Sequence, residues 1–88
     1  MTKGKQGKGA MVYVLVIEHR HGEDFYVCRS WRSAQRRLDE YVRYWWDDEM
    51  EGREMPKSPA RRIQDYFAEM SELRGKEFYN ISKTEMLG

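Results

Sequence analysis

Met11 to His19 reads as a strand, rich in β-branched side chains and continuously apolar as far as Ile17. The polar stretch Glu18 to His21 ends that run, and a second short strand-like run, Asp24 to Arg29, follows Gly22. The pattern predicts a β-hairpin with His21-Gly22 at the turn, where Gly22 takes positive φ at no steric cost. In that register Ile17 faces Tyr26 and Leu15 faces Cys28. One hairpin face then carries Tyr13, Leu15, Ile17, Tyr26 and Cys28, and the other carries Val12, Val14, Val16, Phe25 and Val27. The first set is expected beneath helices. A slip of one residue would exchange the two faces.

The period then changes. Ser30 is a good N-cap, and the spacing predicts a helix from Trp31 to Glu49. At 100° per residue Ala34, Leu38, Tyr41 and Trp45 fall on one line, with Trp31 and Val42 beside it. Tyr44 and Trp46 sit on the two flanks. Together they widen the apolar arc to roughly 200°, about twice what one buried face requires. An acidic connection over residues 47–57 leads to Ser58-Pro59, an N-cap followed by proline at the first helical position. Ile63, Tyr66, Phe67, Met70 and Leu73 trace a second amphipathic face that Gly75 ends. Phe78 to Met86 reads as a third strand. The order β-β-α-α-β predicts an α+β fold, a small two-layer domain with both helices on one face of the sheet.

Eighty-eight residues fit one domain, with a core thin enough that each large side chain counts. Residues 1–10 are rich in glycine and lysine and are expected to form a flexible basic arm, leaving 11–88 as the domain. The formal net charge is +1, from 16 basic and 15 acidic residues. Setting aside Lys3, Lys5 and Lys8 leaves 13 basic against 15 acidic residues, without the cationic excess of a dedicated nucleic-acid binder. Cys28 is the only cysteine, so no intrachain disulfide forms and nothing implies secretion. The lysines before Met11–Ile17 imitate a signal peptide, but the apolar run is short and lacks a small-residue cleavage site. No stretch is long enough for a membrane span, and a cytoplasmic location, in a bacterium or a phage-infected host, is expected.

Candidate chemistry is sparse. His19 and His21, with Glu18, Glu23 and Asp24 around them, form an H-x-H pattern that could hold a metal in a straight strand. A turn at His21 spoils the alignment, so a polar hairpin tip is expected and no metal site is assigned. Cys28 sits between Val27 and Arg29, where a thiol reads as a small buried hydrophobe and not as a nucleophile. No phosphate-binding glycine loop is present, no catalytic residue is assigned, and no cofactor is implied. The stripe Arg32, Arg36 and Arg43, with Arg29 just before it, could meet phosphates or an acidic partner, although Asp39 and Glu40 dilute its field.

Tyr44, Trp45 and Trp46, followed by Asp47, Asp48 and Glu49, suggest a different use. Adjacent tryptophans on a helix diverge by 100° and cannot enter the same core together. With Trp45 in the core, Trp46 is expected at the boundary, with Tyr44 as a second anchor and the acids as a polar rim. Cover by Met50, Met55 or the connection would instead close Trp46 into the interior.

VIEHRHGEDFYVC at 16–28 and the helix reaching YVRYWWDDE at 41–49 resemble short proteins of bacterial genomes and mobile elements. Their general type is similar to phage-encoded host-defence inhibitors such as anti-CRISPR proteins. The resemblance implies an inhibitor without an enzymatic site that binds a larger host protein or nucleoprotein complex. Two alternatives stand beside it: a small nucleic-acid-binding regulator using the arginine stripe and the arm, and a structural homodimer.

Overall fold

The structure, a computed structural model, describes residues 10–86. The expected arm falls outside the described residues except for Ala10. The elements are β1 (Ala10–His19), β2 (Gly22–Cys28), α1 (Trp31–Glu49), α2 (Pro59–Phe67), a π-helical continuation of α2 (Ala68–Leu73) and β3 (Phe78–Met86). They form a three-stranded antiparallel sheet in the order β2-β1-β3 with the helices on one face, the expected α+β arrangement.

The hairpin turn is Arg20-His21, not His21-Gly22. His19 pairs with Gly22, Ile17 with Asp24, Leu15 with Tyr26 and Tyr13 with Cys28. The ladder has slid by two residues from the sequence reading. Gly22 holds φ 125° as the first residue of β2, so the glycine serves the re-entry into the strand instead of the turn itself. Because side chains alternate with a period of two, a two-residue shift leaves the faces unchanged. Leu15 and Ile17 are fully buried beneath the helices, as expected. Tyr26 and Ile81 flank Leu15 on the same face.

Both helix starts follow from local chemistry. The Ser30 side chain accepts from the Ser33 backbone N–H, and the Ser33 hydroxyl accepts from the Ser30 N–H, a reciprocal capping box. Ser58 caps α2, with Pro59 at its first position. Gly75, at φ 63°, turns the chain out of the last helical turn. The Lys76 and Glu77 N–H groups then donate to the Met70 carbonyl, which aims the chain back toward the sheet.

The azimuth of α1 differs from the sequence reading. Ala34, Leu38, Asp39, Val42 and Trp46 are buried, while Tyr41 and Trp45 are half-buried. The helix has two neighbours to satisfy. Its Tyr41–Trp45 side lies against the hairpin tip, where the His19 ring stacks on Tyr41 with centroids 6.0 Å apart. Its Val42–Trp46 side lies against α2, with the Trp46 and Tyr66 rings 6.4 Å apart. Most of the wide apolar arc is therefore used within the fold, while Trp31 and Tyr44 stay exposed. Met50, Ile63, Phe67 and Met70 complete the core.

Candidate interaction surface

The expected anchor Trp46 is a core residue, only 2% exposed. Its indole N–H donates to the Arg53 carbonyl at 2.9 Å, so the connection after α1 satisfies the ring's one polar atom. Adjacent indoles do diverge, but the side carrying Trp46 meets α2 and the connection, and Trp45 takes the boundary position. Glu49 is also withdrawn from the expected acidic rim. Its carboxylate accepts from Arg20 at 2.8 Å and from Arg74 at 3.1 Å, and the Arg74 guanidinium donates to the Glu49 carbonyl as well. Acids at a helix C-terminus oppose the helix dipole, and these two arginines offset that while tying α1 to the hairpin tip and to the end of α2. Tyr44, at 75% exposure, Asp47 and Asp48 remain on the surface.

The arginine stripe is divided. Arg32 and Arg36 are exposed, and Arg43 leans on Asp39 at 3.9 Å. Arg29, Arg36 and Arg37 share an open groove with Ser30, Ser33 and Glu40, where β2 ends and α1 begins. Arg37 also lies over the Tyr26 ring, 4.8 Å from its centroid, and meets Glu40 at 3.8 Å. At the hairpin tip both His19 nitrogens are engaged. Nδ1 accepts from the His21 N–H at 3.2 Å, and Nε2 faces the Asp24 carboxylate at 3.1 Å. No lone pair on that ring is free for a metal in this arrangement. Cys28 is half-buried and stands across from Tyr13 instead of Leu15.

Two polar sets inside the fold have no counterpart in the sequence reading. Glu77, nearly fully buried, accepts from the Tyr41 hydroxyl at 2.8 Å and the Tyr66 hydroxyl at 2.7 Å. The Ser71 hydroxyl holds the Glu77 carbonyl at 2.6 Å, so the π-helical turn sets this carboxylate in place. Burial first, and then the Glu77 carboxylate, push both phenols well above the usual tyrosine range. Arg62 and Asp39 form a fork between α2 and α1. The bond to Asp39 raises the Arg62 guanidinium against the opposing effect of its burial.

The surface with the strongest physical signal is the side of the sheet away from the helices. Its cross-strand rows are readable from the register. Phe25, Val16 and Asn80 form one row, and Val27, Val14 and Ser82 form the next. Glu23, Glu18 and Phe78 close the hairpin-tip end, and Val12 and Thr84 lie toward the other. Phe25 is 63% exposed and Val27 61%, while Val14 and Val16 are half-buried between their neighbours. An antiparallel sheet with one solvated face ordinarily alternates apolar inside with polar outside. Here β1 and β2 are apolar on both faces. The signal was present in the sequence, since Met11–Ile17 never alternates and an uninterrupted apolar strand wants cover on both sides.

Among the described residues, no helix is long and apolar enough to cross a membrane, and no group of three or more His, Cys, Asp and Glu side chains is placed to hold a metal ion. No family model, curated protein or solved structure matches the chain.

Proposed function

We propose that this domain is a non-enzymatic protein-binding module that docks through the uncovered face of its sheet. One observation carries the reading: Phe25 and Val27, each more than 60% exposed, stand beside Val14 and Val16 in a contiguous apolar patch. Apolar side chains gathered on one face and rimmed by polar ones are the ordinary mark of a protein contact. The anchors therefore move from Tyr44 and Trp46 to Phe25 and Val27. An inhibitor of a larger host protein or nucleoprotein complex is the form of this activity that the resemblance implies. Affinity capture from the cells that express the chain tests the reading. A partner should be retained by the wild type and by Tyr44→Ala and lost with Val27→Lys. Equal retention by all three proteins would remove the sheet face from the interaction.

A second reading rests on the groove where Arg29, Arg36 and Arg37 converge, which suits phosphate or an acidic segment. Phosphate contacts weaken steeply with salt, so a gel shift at low ionic strength that vanishes at moderate salt would support it. No shift at low ionic strength would end it.

A further inference from the structure

The uncovered face is not uniform, and its asymmetry selects an occupant. Along β2 and β1 it is mostly apolar, while along β3 it carries Phe78 at the hairpin tip and then Asn80, Ser82 and Thr84. Along the strand direction it is acidic at the hairpin tip, where Glu18 and Glu23 stand directly opposite each other. Arg29 directly follows Cys28, the last residue of β2, at the far end.

Two identical sheets can meet face to face about a two-fold axis lying between them. With that axis along the strands, the acids of one copy would lie over the acids of the other, and the apolar β2 would lie over the polar β3. With the axis across the strands, both of these mismatches are removed. Phe25 of each copy then lies over Val27 of the other, Val16 over Val14, Asn80 over Ser82 and Glu23 over the Arg29 end, while Phe78 meets Thr84 and Glu18 meets Val12. The face is complementary to itself in this one orientation, with β1 of the two copies antiparallel and the sheets crossing at the usual angle of about 30°.

We infer that the occupant of the face is a second copy of this chain, packed sheet on sheet to give a four-layer α-β-β-α homodimer. This rests on the reading of the sheet face as a protein-binding surface and names its partner. The face is small. Three strands about 4.8 Å apart and a seven-residue β2 at about 3.3 Å per residue give a patch of roughly 14 by 23 Å. That lies below the roughly 800 Å² per partner of a standard stable interface, so a weak, reversible dimer is expected.

Sedimentation velocity on the full chain, from about 1 to about 500 µM at low salt, reads this directly. The wild type should move from monomer to dimer across that range. Val27→Lys, at a position exposed enough to leave the fold intact, should weaken the dimer by about tenfold or more while its circular dichroism is unchanged. Glu23→Arg and Arg29→Glu should each weaken self-association, and an equimolar mixture of the two should dimerise better than either alone, because the swapped charges again oppose each other. That rescue cannot come from misfolding. A wild type that stays monomeric throughout would overturn the homodimer. It would leave the docking face standing if the capture experiment still loses its partner with Val27→Lys. A dimer indifferent to Val27→Lys would place self-association on another surface and overturn the inference.

Discussion

Asp39 on α1 and Arg62 on α2 meet as a two-pronged ion pair, with Nε to Oδ1 at 2.9 Å and Nη2 to Oδ2 at 2.8 Å. Both side chains are about nine-tenths buried. The remaining guanidinium nitrogen donates to the Pro56 and Lys57 carbonyls, so the pair clamps two helices and the connection between them. Breaking such a pair strands a buried charge, whereas replacing both partners by apolar groups need not. Asp39→Ala should therefore lose about 3–5 kcal/mol of stability in urea denaturation. The double variant Asp39→Leu with Arg62→Met should recover most of that loss. Equal losses in the single and double variants would show that the clamp matters through the bonds of the ion pair itself and not through the avoidance of a stranded charge.

Much of the fold is legible in the amino-acid sequence. The element order, the caps at Ser30, Ser58 and Pro59, and the covered hairpin face all follow from local pattern and steric rules. What escaped depends on neighbours far away in sequence. Periodicity gives the width of the α1 apolar arc but not which part of it α2 will cover, so Trp46 was read as boundary when α2 and the Arg53 carbonyl enclose it. Asp39 and Arg62 lie 23 residues apart, and Tyr41 and Glu77 lie 36 apart. No local signal joins such pairs. The candidate site is hidden for a different reason. Val12, Val14, Val16, Phe25 and Val27 share one face by alternation, but no local signal says whether a further layer will cover it.

Trp46 and Tyr44 now make opposite predictions. Trp46→Ala removes a fully enclosed ring from the core and should cost about 4 kcal/mol. Tyr44→Ala, at a side chain 75% exposed, should change stability by no more than about 0.5 kcal/mol. Thermal unfolding of the two variants under identical conditions checks both. A mild effect at Trp46 would contradict its placement in the core.

Alkaline pH should find the Tyr41–Glu77–Tyr66 cluster. In the unfolded chain these phenols ionise near pH 10.0, whereas in the folded chain both are held protonated to higher pH. Below pH 10 both states carry the protons and the contribution is intact. Above it the unfolded chain releases protons that the folded chain retains, so stability falls by about 1.4 kcal/mol per pH unit for each such phenol. Ultraviolet titration should show two of the six tyrosines silent until the chain unfolds. With Tyr41→Phe and Tyr66→Phe combined, that silent pair should be gone. Six tyrosines titrating together in the folded wild type would contradict the cluster.

Glu77 is the acceptor both phenols depend on. Glu77→Ala leaves two hydroxyls unpartnered in the interior, and a loss of about 3 kcal/mol is expected, measured by urea denaturation at neutral pH. Glu77→Gln retains a carbonyl acceptor and should lose less. Equal losses would assign the role of Glu77 to its charge rather than to the acceptor geometry.

The uncovered sheet face is reached most directly by a photo-crosslinking side chain. A benzophenone amino acid at Val27 should give a discrete covalent protein adduct on irradiation of cells expressing the chain, whereas the same group at Arg43, on the outer side of α1, should give none. Adducts of equal yield from both positions, or from Arg43 alone, would contradict a docking surface on the sheet.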